Sequence, residues 1–388
     1  MLINGGGNMK FTVKSRELKE VTARVIGVIP ARTTIAAVEN FHLEVSKKNL
    51  IVSATDLEVS VLSRLQIDAI EEGKVTVDAR EFFEIIRNLP DTEIEFSATN
   101  DGKVKLKTES GLYKIVGGSA DEFPTLPTVG DKATVVSIAA DRLGSIIQKT
   151  VFAVSKDEQR RSMNGVDFQF IGKDAKIYAT DGHRLVRIEA KEITNKEIKY
   201  DANFQEKALN LILKSIKGIN VEFLVNDEHA MFKTESTELI CRLIKEPHPD
   251  FEAVIPKDNN KVLIVNREEL LEKMRRVAIL ADSLNHLVKF TIGEKSLIVS
   301  SEETERGETA EENIEASWSE KENMSVGFNA TYVGDALSHL DSEKVQFLFS
   351  TPNRACIIKP LYENGEKIQA QGVEKDSVLM LIMPLRLN

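Results

Sequence analysis

The sequence predicts an α+β protein built from three copies of one unit of roughly 125 residues. Two sets of segments carry this reading. The segments SRELKEVTARVIGVIP, ADRLGSIIQKTVFAVS and NREELLEKMRRVAILADS share a register, with Leu18, Leu143 and Leu270 separated by 125 and 127 residues. The segments DAREFFEIIRNLPDTEIEFSA, DANFQEKALNLILKSIKGINVEFLV and NATYVGDALSHLDSEKVQFLFS each read as a helix followed by a strand. They set Phe96, Phe223 and Phe347 at separations of 127 and 124. Two helices against antiparallel strands in each copy give the α+β class.

The chain opens on MLINGGGN, polar and glycine-rich, read as a flexible extension over residues 1–8, before the strand-like KFTV. From each aligned leucine, positions +4, +7, +8 and +11 are mostly apolar. They are Thr22, Val25, Ile26 and Ile29, then Ile147, Thr150, Val151 and Val154, then Met274, Val277, Ala278 and Ala281. That spacing is one face of an amphipathic helix. Asp141 and Asn266 are expected to cap the second and third of these helices. Between helices the chain alternates as strands with Asn-Gly, Asn-Asp-Gly and Gly-Gly turn signals. Proline clusters, EFPTLP and EPHPDFEAVIP, close the first two copies and place domains at 9–130, 131–257 and 258–388. The loop ENGEKIQAQGVEKD, residues 363–376, has no assigned role.

Composition narrows the function. With 42% hydrophobic and 29% charged residues, the chain has the make-up of an ordinary globular protein. No apolar run is long enough to span a bilayer and no signal peptide is visible, so a cytoplasmic protein without membrane partners is expected. Two cysteines, Cys241 and Cys356, each in an apolar run, predict buried thiols rather than a disulfide or zinc site. The net charge of −10 argues against static binding to nucleic acid by charge alone.

ATDGHRLVRI, residues 179–188, is the stretch richest in chemistry-bearing side chains. Asp181 and His183 are a candidate catalytic pair, a candidate pair of metal ligands, or scaffolding for a surface. The repeat favours scaffolding. Thr55-Asp56 stands 125 residues before Thr180-Asp181 in the same ATD context but is followed by Leu57, Glu58 and Val59. An aspartate used in two copies fits a turn held by its own side chain. The third copy, SLIVSSEETERGETAEE, keeps the strand and loses the aspartate. No phosphate loop, H-E-x-x-H, G-x-S-x-G or Cys/His cluster occurs, so no cofactor or metal is expected.

MKFTV, the paired ATD, GHRL after the second, PDF..VIP, FN..YV and the terminal MPLRL together resemble the bacterial DNA polymerase III beta subunit family, the sliding clamps. The similarity runs from Met9 to Leu387. It implies the clamp fold and a head-to-tail homodimeric ring around double-stranded DNA, read without sequence specificity. It also implies a processivity role without catalysis, with a clamp loader, the replicative polymerase and other clamp-motif proteins as partners. A monomeric peptide-binding scaffold and an enzyme using Asp181 and His183 are the alternatives.

The resemblance also implies sites. Met163, Thr180, Gly182, His183, Arg184, Leu185, Pro249, Val254, Asn329, Tyr332, Ala355, Leu381, Met383, Pro384, Leu385 and Arg386 would line a peptide pocket. Methionines suit a pocket that repacks around several peptides. Arg24, Arg32, Lys149, Arg160, Arg161 and Arg276 would face DNA. Arg24, Lys149 and Arg276 occupy position +6 from the aligned leucines, off the apolar stripe. Tyr113 and Ile115, on the edge strand GLYKIVG, would meet Ile279 and Leu280 of a second copy. His248, Glu252 and Ala253 stand in HPDFEAV where many relatives have FPDYRRV, which alters the expected peptide preference. Arg160, Arg161 and Ser162 stand where some relatives have aromatics.

Overall fold

The computed structural model describes residues 8–130, 133–216, 220–234, 236–303, 306–362 and 376–387. Each copy opens on a strand, Met9–Lys14, Thr134–Ala139 or Lys261–Asn266. The chain then enters a helix, Ser15–Val25, Ala140–Thr150 or Arg267–Val277. Alternation along the opening strands buries Phe11 and Val13, Val136 and Ile138, and Leu263 and Val265. Leu18, Leu143 and Leu270 are all buried. Each of these helices tightens into a 3-10 turn, at Ile26–Val28, Val151–Ala153 and Ala278–Leu280.

The second helices are Ala79–Asn88, Glu206–Ser215 and Ala330–Ser338. The strands after them, Glu93–Ala98, Asn220–Val225 and Lys344–Phe349, return antiparallel to the opening strands. The register repeats. Phe11 lies opposite Phe96, Val136 opposite Phe223, and Leu263 opposite Phe347. Ring stacking follows from it, with Phe11 and Phe96 centroids 4.7 Å apart.

Caps follow the expected chemistry at several helix starts. Asn266 accepts from the Glu269 amide at 3.0 Å and Asp78 from the Glu81 amide at 2.7 Å. Asp141 is not a cap. The helix begins at Ala140, so Asp141 sits in its first turn, where its charge complements the positive helix end.

The chain divides into two compact units, residues 1–140 with 207–243, and 141–206 with 244–388. The division passes through the second copy because that copy shares strands with both others. In the first unit Val59–Gln66 pairs antiparallel with Thr237–Ile244, Ser63 opposite Thr237 and Val59 opposite Cys241. Arg64 and Glu238 bridge these strands at 2.8 Å. In the second unit Arg184–Ala190 pairs with Asp376–Ile382, whose other edge takes Cys356–Leu361. A single strand thus lies between the second and third copies. A largely buried ion pair, Arg142 with Asp376, fastens its start.

Both cysteines are buried and free. Burial pushes the Cys241 thiol up to about 12. Among the described residues no helix is long and apolar enough to cross a membrane.

Candidate functional site

The stretch 179–188 folds as the end of strand Asp174–Thr180, a turn, and strand Arg184–Ala190. The Thr180 hydroxyl accepts from the Gly182 amide at 3.1 Å and donates to the Arg184 carbonyl at 2.6 Å. Asp181 Oδ1 accepts from the amides of His183 and Arg184 at 2.9 and 3.0 Å, and its Oδ2 accepts from Arg184 Nε at 3.0 Å. Gly182 has φ +91°, the left-handed region that glycine enters without steric cost. Both carboxylate oxygens of Asp181 are therefore occupied within the turn.

The turn holds Arg184 in place. Its guanidinium carbon lies 4.7 Å from the Tyr332 ring centroid and 5.2 Å from that of Phe152. Its nitrogens reach Asp335 and the Phe152 carbonyl, the latter at 2.7 Å. His183 is exposed and stacks on Tyr332 at 6.3 Å. Asn329 accepts from the Thr331 amide at 2.9 Å and so caps the helix that presents Tyr332. Burial, followed by the Asp181 charge, raises the Tyr332 hydroxyl above its ordinary value.

Beyond the turn, Leu185, Ala355 and Leu381 join a buried apolar cluster with Tyr178, Phe251, Ile255, Ile357 and Leu379. Those five are not among the pocket residues named from sequence. The signal for two of them was available, because Tyr178 and Leu379 precede Thr180 and Leu381 by two and share their strand face. Val254 and Met383 stand at the surface, 57% and 43% exposed. Pro249 is half-buried and precedes Asp250, which caps the short helix Phe251–Val254.

The segment after Asp376–Ile382 is tied at both sides of Pro384. The Met383 amide donates to the His183 carbonyl and the Leu385 amide to the Gly327 carbonyl, both at 2.8 Å. A Cβ at Gly327 would come within 2.8 Å of the Leu385 carbonyl oxygen, so glycine is what lets the two backbones approach. Arg386 is exposed. Met163 is half-buried, and its carbonyl accepts from the Ser155 amide at 2.8 Å.

Of the expected DNA-facing cations, Arg32, Arg160 and Arg161 are exposed. Arg160 and Arg161 are loosely paired, with Asp157 at 3.4 Å and Glu246 at 3.6 Å. Arg24 is half-buried and donates to the Ser236 hydroxyl at 2.9 Å, whereas Arg276 is exposed and bound to Glu312 at 2.6 Å. Lys149 departs from the expected open cation. It is 8% exposed, and its amine bonds Asp341 at 2.9 Å, a carboxylate that Tyr362 also holds at 2.6 Å. Position +6 is thus not one solvent-facing register. Lys207, on the second helix of its copy, binds Asp56 and the Val28 carbonyl. Nearly all of the 363–376 loop lies outside the described residues.

The strand Leu112–Gly118 pairs along one side with Lys103–Lys107, and on its other side only Gly117 and Gly118 find partners among the described residues. Tyr113 is exposed and Ile115 half-buried on it, and Val116 is 85% exposed. Ile279 is 78% exposed and Leu280 half-buried in the 3-10 turn of the third copy. Among the described residues no cluster of three His, Cys, Asp or Glu side chains could hold a metal ion.

Comparison with known proteins places this arrangement. Residues 9–127, 137–250 and 252–371 match the N-terminal, central and C-terminal domains of the DNA polymerase III beta subunit. The beta sliding clamp of Chlamydia pneumoniae is 28% identical, covering 98% of this chain and all of that one. That of Bacillus subtilis is 27% identical, with 97% and 100% covered. Among solved structures, a Pseudomonas aeruginosa sliding clamp bound to griselimycin superposes with a TM-score of 0.88 at 26% identity, over 98% of this chain and 100% of that one. A Bacillus subtilis DNA polymerase sliding clamp gives the same TM-score, identity and coverage. Three consecutive domain matches in order, with relatives aligned end to end, lead to one conclusion: the chain belongs to the DNA polymerase III beta subunit family, the beta sliding clamps.

Proposed function

We propose that this protein is a non-catalytic sliding clamp. Two copies, each with domains at 9–130, 131–257 and 258–388, close head to tail around duplex DNA in the cytoplasm. The ring tethers the replicative polymerase and other clamp-binding proteins, and a clamp loader opens it. The observation that carries the reading is a pair of complementary open strand edges. Leu112–Gly118 and its neighbour Lys103–Lys107 carry Lys103, Lys105, Lys107 and Lys114. In the third copy the strand Glu308–Trp318 pairs with Ser296–Glu303 through residues 308–315, and only residues 316–318 also pair with the opening strand among the described residues. Its open part carries Glu308, Glu311, Glu312 and Glu315. A basic edge and an acidic edge on one chain favour joining copies head to tail and disfavour like-to-like pairing. Exposed Val116 and Ile279 supply apolar area, worth about 25 cal/mol per Å² when buried.

The deciding experiment is retention on DNA. Labelled protein is loaded onto a nicked circle, half the sample is linearised, and both are passed through gel filtration. A closed ring persists on the circle and slides off the linear form, whereas binding by charge alone retains both equally and falls steeply with salt. Equal retention on the two forms rejects the ring. Ile279→Lys with Leu280→Lys should yield folded monomers, and unchanged dimer mass removes those residues from the interface.

The peptide site is proposed at the groove bounded by the 180–185 turn, Val254, Tyr332 and Met383. Deleting residues 384–388 should weaken an extended peptide with hydrophobic anchors at least tenfold, about 1.4 kcal/mol, while the dimer survives. Equal affinity of truncated and full-length protein rejects the groove.

A further inference from the structure

A cleft of about 350 Å³ is lined by Arg187, Glu252, Lys257, Asn259 and Lys359. It shares Ile255, Ile357 and Leu379 with the buried apolar cluster that contains Leu185 and Leu381. The geometry explains the sharing. Arg187 follows Leu185 by two on one strand, and Leu379 precedes Leu381 by two on its partner, so both pairs continue along the same sheet face.

The charges in this cleft are unevenly committed. The one carboxylate, Glu252, is saturated, accepting from the Tyr178 hydroxyl at 2.7 Å, Lys176 at 2.9 Å and Arg187 Nη1 at 3.2 Å. The Tyr178 hydrogen bond, with Lys176 and Arg187 behind it, holds that carboxyl down to about 2, so it stays ionised and fixes the Arg187 guanidinium. Among the described residues, Arg187 Nε is buried without a hydrogen-bond partner. Lys257 is exposed and Lys359 half-buried, and neither has an ion-pair partner among the described residues. The cleft therefore holds uncommitted positive charge at one end of the buried apolar cluster, next to Glu252.

We propose that this cleft is an auxiliary subsite for a carboxylate side chain of the peptide whose apolar anchors occupy the adjoining groove, with Lys257 and Lys359 as its ion partners and Arg187 as a fixed donor. The proposal rests on the peptide-groove reading above. An acidic flank fits because a peptide that left the groove toward this cleft would meet the uncommitted cations.

Fluorescence anisotropy with labelled synthetic peptides tests it. Each peptide carries the same apolar anchors, flanked on one side or the other by three Ala, three Glu or three Lys residues. The full-length protein should bind one of the Glu-flanked peptides roughly fivefold to tenfold more tightly than its Ala-flanked counterpart at low salt. In Lys257→Ala with Lys359→Ala, two surface changes, that advantage should vanish while Ala-flanked affinity stays unchanged. Equal binding of Glu- and Ala-flanked peptides, or an advantage that survives the double substitution, overturns the subsite and leaves the groove standing. No binding of any peptide overturns both. A short single-stranded DNA that erases the advantage, where sodium chloride of equal ionic strength does not, makes phosphate the occupant and also overturns it.

Discussion

Two turns 125 residues apart, Thr55–Val59 and Thr180–Arg184, share a framework and differ in what they carry. In the first, the Thr55 hydroxyl accepts from the Leu57 amide at 3.0 Å and donates to the Val59 carbonyl at 3.1 Å. Asp56 Oδ1 accepts from the amides of Glu58 and Val59 at 3.0 and 2.7 Å. These are the bonds that Thr180 and Asp181 make. Even the left-handed residue recurs, as Leu57 at φ +77° and Gly182 at +91°. The difference lies outward of the frame. The second oxygen of Asp56 meets Lys207 of another element, whereas that of Asp181 meets Arg184 of its own turn. One turn is a joint, and the other aims an arginine between two rings. Shared residues here build the framework, and the residues that differ decide what it presents.

Removing the aspartates tests this most severely. Asp56→Ala and Asp181→Ala should each cost about 2–3 kcal/mol in denaturant unfolding, because each orphans two amides and removes a carboxylate from a cation. Only Asp181→Ala should also weaken peptide binding. A first-copy variant within about 0.5 kcal/mol of the parent would break the shared-frame account. A third aspartate sharpens the contrast. Asp167 is buried, its Oδ1 has no partner among the described residues, and burial pushes its carboxyl up to about 6 despite the nearby His248 and a Gln169 bond. A carboxyl raised in the folded state favours folding at low pH, and that contribution is lost as pH rises toward 6. Asp167→Asn should therefore be more stable than the parent at pH 8 by on the order of 2 kcal/mol, with the advantage gone by about pH 4. An advantage independent of pH would show that charge is not the cause.

Smaller effects separate the two left-handed residues. Gly182→Ala should cost about 1–2 kcal/mol. His183→Ala should alter peptide affinity by less than about 1 kcal/mol, since its ring makes only a loose stack. Leu57→Gly should be neutral to stabilising by about 0.5 kcal/mol, relief of strain offsetting added chain entropy. Thermal midpoints rank the stability variants, and a destabilising Leu57→Gly would show that the half-exposed leucine packs more than it strains.

The repeat, the helices and the ATD frame were legible because each is written locally, in spacing and side-chain type. Asn266 declared itself as a cap for the same reason. Lys149 did not, because its burial depends on Asp341, 192 residues further on. The apolar floor was half legible, since Leu185 and Leu381 were named while Phe251 and Ile357, brought in from elsewhere in the chain, were not. Glu252 was recognised only as a departure from relatives. Its role as the acceptor shared by Lys176, Tyr178 and Arg187 required three strand residues to converge on one short helix.

The strand shared between the second and third copies has a consequence for synthesis. Arg142 emerges from the ribosome 234 residues before Asp376, its partner at that junction. From the synthesis of Arg184–Ala190 until that of Asp376–Ile382, the edge that will join them stays open. Val59–Gln66 faces a similar delay, with 174 residues separating Arg64 from Glu238. At typical elongation rates of about 5–20 residues per second, each edge stays bare for roughly ten seconds or more. Open edges invite the wrong partner, above all on neighbouring nascent chains of the same sequence. Holdase chaperones that shield extended segments during translation should thus raise the yield of native protein more than agents acting after release.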